Sequence, residues 1–125
     1  MMAGRHLAQM NVARARWAPD RPEMADFYAQ VPAINAVAEG SPGFVWRLKE
    51  DYGDPFLLVN VSVWESVNAL REFVYLSAHA GVFRDRGAWF EKPTEASQVL
   101  WWVAAGHRPG YAEGFERLGL LHVGR

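Results

Sequence analysis

The run from Phe56 to Trp64, Phe-Leu-Leu-Val-Asn-Val-Ser-Val-Trp, constrains the fold more than any other segment of the chain. It is rich in β-branched and aromatic residues, and both of its alternating sets are mainly apolar. Leu57, Val59, Val61 and Val63 form one set; Phe56, Leu58 and Trp64 form the other, with Asn60 and Ser62 among them. A strand of this kind belongs in the middle of a sheet that is covered on both faces. The rest of the chain must therefore supply neighbouring strands and covering helices.

It does so in a definite order. His6 to Arg14 alternates as a strand, with Leu7, Gln9 and Asn11 opposite Ala8, Met10 and Val12. Asp20-Arg21-Pro22-Glu23 has the form of a capping box, and Met24, Phe27, Val31, Ile34 and Val37 then recur at helical spacing, with Pro32 expected to bend the helix before Gly40 ends it. Ser41-Pro42-Gly43 reads as a turn, Phe44 to Lys49 as a strand, and Glu50 to Pro55 as a hairpin loop leading into the central strand. Ser66 is a good N-cap for a second helix carrying Val67, Leu70, Phe73, Val74 and Ser77 on one face. Gly81 and Gly87 interrupt the continuation from His79 to Phe90, Gln98 to Ala104 forms the last strand, and Gly106 to Pro109 opens a tail helix.

The order is β-α-β-β-α-β plus a tail, the split βαβ pattern of an α+β, ferredoxin-like domain with a four-stranded antiparallel sheet. At 125 residues the chain is sized for one domain, with a core over residues 6–104 and a C-terminal helix over 109–119. Trp46, Arg47, Trp101 and Trp102 occupy strand positions of both parities, so the sheet face away from the helices should expose large apolar groups. Such a surface suits a homodimer formed sheet to sheet.

Thirteen Lys and Arg against fourteen Asp and Glu leave a net charge of −1 and no basic run, which argues against nucleic acid and acidic membranes as partners. The absence of Cys removes disulfides, thiolate nucleophiles and Cys-based metal sites. No His lies at ligand spacing from another His or a carboxylate on a shared helical face, so no metal is expected. The longest apolar stretch, Val99 to Ala105, is too short to span a bilayer, and the opening residues lack a signal-peptide core; a cytoplasmic location is the expectation.

The candidate site lies between the sheet and the second helix. Asn60 and Trp64 share one strand face, Tyr75 and His79 are four apart on the second helix, and Asn11 stands near Asn60 if their strands are adjacent. Asn60 could hold a substrate carbonyl or oxyanion while Trp64 stacks on a ring, and His79 could move a proton. Arg84, Arg86, Trp89 and Phe90 could close the pocket, with Trp46 as a further ligand contact. Asn60, Trp64 and His79 are thus the catalytic candidates; Asn11, Tyr75, Arg86, Trp89 and Trp46 are the ligand-binding ones. Each has a structural alternative: amides bonded to each other across the sheet, a Trp filling the core, and a His completing a helix C-terminus. His107 and Arg108 are read as shaping the turn before Pro109.

The stretches Ser41–Leu48, Leu58–Ser66, Ala69–Tyr75 and Leu100–Pro109, together with Leu7–Val12, resemble a bacterial family known as domain-of-unknown-function family 3291. The family is similar to the dimeric α/β-barrel superfamily, which holds cofactor-independent antibiotic-biosynthesis monooxygenases, cyclases, isomerases and haem-degrading enzymes. Within it, an Asn with a Trp four positions later, as Asn60 and Trp64 stand here, resembles the strand that orients a phenolic substrate. The resemblance implies an enzyme or enzyme-like homodimer acting on an aromatic or polyketide-like metabolite by oxygenation, cyclisation or isomerisation without a cofactor. The alternative it allows is a non-catalytic small-molecule binder, or a haem binder with His79 as ligand. His79, Gly81 and Gly87 depart from the charged helical run usual in the family.

Overall fold

The computed structural model describes residues 4–79, 81 and 86–123. Its elements are β1 (Arg5–Arg14), α1 (Ala25–Glu39), β2 (Phe44–Arg47), β3 (Leu57–Trp64), α2 (Val67–His79), α3 (Arg86–Trp89), β4 (Gln98–Ala104) and α4 (Tyr111–Val123). The four strands form one antiparallel sheet in the order β2-β3-β1-β4, so the two middle strands are β3, whose sequence is apolar on both sides, and β1. This is the ferredoxin-like α+β arrangement. No described helix is long and apolar enough to cross a membrane.

Local chemistry accounts for most of the element boundaries, and two differ from expectation. Ser66 caps α2, its Oγ accepting the Ala69 N–H at 3.1 Å. The capping box expected at Asp20 does not form: Pro22–Met24 is a single 3-10 turn, α1 begins at Ala25, and no side chain caps either start. Arg21 and Glu23 pair with each other instead, at 3.0 Å. The tail helix runs Tyr111–Val123 rather than 109–119. Gly43 has φ +82°, and a Cβ there would stand 2.5 Å from the Cβ of Ala69, so only glycine allows β2 to start this close to α2.

The sheet has two different faces. One carries Ala8, Met10, Val61, Val63, Val99, Trp101 and Val103, all buried beneath Leu118 of α4 with Tyr111 and Phe115 packed around them. This face, turned away from α1 and α2, is the one expected to await a second copy. It is covered instead by the chain's own tail helix. Gly114 makes that approach possible, since a Cβ at this position would lie 2.4 Å from the Sδ of Met10. Glu113 fixes the helix in place, accepting from Trp101 Nε1 at 2.8 Å while its other oxygen lies 2.7 Å from His107 Nε2. Burial opposes the charge on Glu113, but the hydrogen bonds from His107 and Trp101 outweigh it and hold the carboxyl below the usual carboxylate range.

The second face packs against α1 and α2 in two separate clusters. Leu7, Trp64, Leu70 and Ala38 form one, with Phe44 and Phe73 against it. Ala15, Met24, Phe27, Trp89 and Phe90 form the other, with Ala13 and Leu58 against it. Between the clusters the same face is polar.

Candidate functional site

Strand register builds the polar interval as a series of rungs across β3, β1 and β4. Trp64, Leu7 and Trp102 form one rung; Ser62, Gln9 and Leu100 the next; Asn60, Asn11 and Gln98 the third. Antiparallel partners point to the same side of a sheet, so three side-chain amides stand side by side on the helix face. Leu58 and Ala13 follow as the next pair and belong to the second apolar cluster. The amide rung is therefore bounded along the strands by Trp64 and Leu7 beyond one end and by Leu58, Ala13 and the Phe27–Trp89–Phe90 group at the other.

A directed hydrogen-bond chain runs through this region. Trp64 Nε1 donates to Ser62 Oγ at 2.8 Å, and Gln9 Nε2 donates both to the same oxygen at 2.8 Å and to Asn60 Oδ1 at 2.6 Å. Gln98 Nε2 approaches Gln9 Oε1 at 3.5 Å. Gln9 is only 3% exposed, whereas Asn11, Asn60 and Gln98 are exposed. A buried amide thus underlies an open row of amides. The neighbouring β4 residues on this face, Leu100 and Trp102, are 47% and 43% exposed, because α1 and α2 lie over the β2–β3 half of the sheet.

The expected site residues divide into three groups. Asn60 and Asn11 come together as register partners on the open floor. Trp64 and Trp89 lie on the same face but inside the flanking clusters: Trp64 is 1% exposed, stacked on Phe73 at 5.1 Å, and Trp89 packs on Phe27 at 5.6 Å. Neither ring is open for a ligand to stack on; Trp64 reaches the floor only through its bond to Ser62. Arg86 borders the second cluster, its guanidinium 5.9 Å from the centre of the Phe90 ring.

Tyr75, His79 and Trp46 are not brought to the floor. Leu70 and Phe73 set the inner face of α2, and residues two further on from Phe73 and Ser77 point the opposite way, as helical geometry requires. Tyr75, 60% exposed, and His79 accordingly stack on each other on the outer side, ring centres 5.6 Å apart. Trp46 is turned over by a bulge: Phe44 pairs with Trp64, but Trp46 pairs with Val63, which moves its side chain to the α4 face beneath Arg108. Arg84 lies outside the described residues.

An open groove, bordered by Trp46, Leu48, Arg108 and Tyr111, lies on the side of the sheet that α4 covers. There the Tyr111 hydroxyl donates to the Glu50 carbonyl and the Arg108 guanidinium lies over the Trp46 ring, while Lys49 and Glu50 on the rim are exposed. In the rung, the Asn11 amide and Asn60 Nδ2 have no hydrogen-bond partner among the described residues and lie between two apolar clusters, and for that reason it is the stronger candidate. Gln9 and Ser62, which organise it, carry a sequence signal: both are polar positions inside otherwise apolar strands.

The family model described as Domain of unknown function (DUF3291) matches residues 6–124. The chain belongs to this family. No curated protein matches this DUF3291 chain. Among solved structures it is similar in fold to SnoaB, a cofactor-independent oxygenase from Streptomyces nogalater, with 20% identity, a TM-score of 0.52, and coverage of 82% of this chain and 95% of that one. It is also similar to two proteins described provisionally as antibiotic biosynthesis monooxygenases. One, from Chloroflexus aurantiacus, shows 18% identity, a TM-score of 0.56, and coverage of 84% and 99%. The other, from Nitrosomonas europaea, shows 11% identity, a TM-score of 0.60, and coverage of 86% and 96%. At these identities the likeness establishes the fold of the DUF3291 chain and nothing finer.

Proposed function

We propose that the protein is a small-molecule enzyme acting on an aromatic or polyketide-like metabolite by cofactor-independent oxygenation, cyclisation or isomerisation, with the substrate seated on the helix face of the sheet. The observation that carries this reading is the exposed amide rung Asn60–Asn11–Gln98 lying between two apolar clusters. Small-molecule sites combine apolar walls with a few convergent polar groups that fix orientation. An amide that donates to a carbonyl or phenolate oxygen stabilises charge as it develops on the ring, and removal of one such donor commonly costs about hundredfold in rate. The fold shared with a protein described as a cofactor-independent oxygenase is consistent with this chemistry.

The reading routes nothing through haem. His79, the residue that would ligate it, faces outward against Tyr75 with exposed Leu76 and Ala78 beside it. These surroundings do not fit a ligated macrocycle. A homodimer is proposed with the activity, and its partner surface is placed on the exposed Leu100 and Trp102 rather than on the face that α4 covers.

The test uses the phenolic anthrone dithranol as probe, following oxygen uptake and quinone absorbance. The wild-type protein should accelerate oxidation above the spontaneous rate, and Asn60→Ala should lower that acceleration by about hundredfold. Saturable binding without acceleration would favour the non-catalytic binder. Absence of both binding and acceleration would contradict the proposal.

A further inference from the structure

We infer that Gln9 is a positioning residue that sets the polarity of the site: it turns the Asn60 amide so that Nδ2 faces the ligand, which selects a substrate presenting an anionic or carbonyl oxygen. The inference rests on the reading of the amide rung as the ligand site and adds the direction in which that site points.

The argument starts at Trp64. An indole N–H can only donate, so Ser62 Oγ, 2.8 Å away, must accept from it. Gln9 Nε2 stands 2.8 Å from the same oxygen and 2.6 Å from Asn60 Oδ1, which uses both of its hydrogens. The remaining atom of that amide, Oε1, has Gln98 Nε2 on its side at 3.5 Å. Donors and acceptors are consistent along the whole chain. Asn60 consequently has its oxygen committed to the sheet, while among the described residues its Nδ2 has no hydrogen-bond partner, in a side chain that is exposed.

Burial gives Gln9 its leverage. At 3% exposure beneath the rung it cannot exchange its partners for water, and reversing it would require the Ser62 hydroxyl to donate to it and the Gln98 amide to turn with it. The reversed amide would also turn Asn60 Oδ1 outward, producing a site that accepts from a neutral phenol instead of donating to a phenolate. The two orientations therefore have opposite effects on the ionisation of a bound phenol. A donating amide favours the anion, and an accepting amide favours the neutral form.

Alizarin, a hydroxyanthraquinone whose colour changes on ionisation, reads this sign directly. Bound to the wild-type protein, its ratio of anion to neutral form should exceed that of the free dye at the same pH by on the order of tenfold, the ratio represented by one pKa unit. Gln9→Met, of similar length and without donors, should retain binding but return the ratio to that of the free dye, with melting temperature and circular dichroism as checks on the fold. Asn60→Ala should weaken binding itself. If the wild-type protein suppresses ionisation of the bound dye, the inferred orientation is overturned, and this holds even if the Gln9 variant fails to fold. If Asn60→Ala weakens binding while Gln9→Met leaves the ratio raised, Gln9 does not position the amide, although the site reading stands. If alizarin does not bind, or binds Asn60→Ala equally well, the site reading fails and the inference falls with it.

Discussion

Gln9 Nε2 lies 2.6 Å from Asn60 Oδ1 across the β1–β3 pair, two residues off direct register, because Gln9 pairs with Ser62 and Asn11 with Asn60. This diagonal contact joins the buried polar layer to the exposed amide rung. Its other branch ends at Ser62, which holds Trp64 in the core.

Ser62→Ala should therefore do more damage than the loss of one hydroxyl on a strand. Trp64 Nε1 and one N–H of Gln9 would both lose their acceptor in a region where Ser62 is 6% exposed. Each unsatisfied buried donor costs roughly 1–3 kcal/mol. Urea denaturation should show a loss in that range or somewhat above it, and a loss within error of zero would mean that the chain through Ser62 does not hold the two strands.

The packing of α4 on the sheet yields a matched pair of substitutions. Gly114→Ala places a methyl 2.4 Å from the Met10 Sδ, and Met10 is fully buried, so overpacking should destabilise by about 1–3 kcal/mol. Gly119→Ala, in the same helix with nothing within 4 Å of the added carbon, should be neutral or stabilise by up to about 1 kcal/mol through helix propensity. Equal effects at the two positions, measured by thermal melting, would contradict the close approach of α4 to β1.

Glu113 should make this packing sensitive to acid. Its carboxyl titrates below the ordinary range in the folded protein, so its contribution is complete above about pH 4.3, the unfolded value, and is lost as pH falls through the folded one. Glu113 is partly exposed, and the ion-pair component is discounted for solvent to under about 1 kcal/mol. Glu113→Gln should be slightly less stable than wild type near neutral pH, with the difference closing in acid. A difference that persists unchanged well below pH 4 would show that the charge contributes nothing.

Trp102→Asp tests the proposed assembly. Leu100 and Trp102 are the large apolar residues left exposed on the helix face of β4. If a second copy covers them, light scattering should show a dimer for wild type and a monomer for the variant; a monomeric mass for wild type at micromolar concentrations would contradict the homodimer.

Much of the fold was legible because periodicity reports burial. The double-sided apolar pattern of Phe56–Trp64 predicts the middle strand, and Ser66 predicts the start of α2. The site was legible only in part. Strand alternation places Asn60 and Asn11 on a common face, but one feature that depends on tertiary geometry was hidden. The bulge between Phe44 and Trp46 inverts the parity that alternation assigns to Trp46. The placing of Tyr75 and His79 was legible: Leu70, Phe73 and Ser77 mark the face that α2 buries, and residues two beyond Phe73 and Ser77 lie opposite it. The role of α4 was hidden for a further reason: apolar strand residues show that cover is needed, not whether it comes from the same chain. Trp101 and Glu113 supply the answer only once the tail is folded back.

The central claim is that the amide rung on the helix face receives a small aromatic molecule. Nitrogen–proton correlation NMR of the side-chain amides during an alizarin titration tests it most directly. The account predicts saturable shifts of the Asn60, Asn11 and Gln98 side-chain NH2 signals, with the Trp46 indole and Arg108 guanidinium signals on the opposite side unchanged. Shifts confined to Trp46 and Arg108, or an absence of shifts at Asn60, would contradict it.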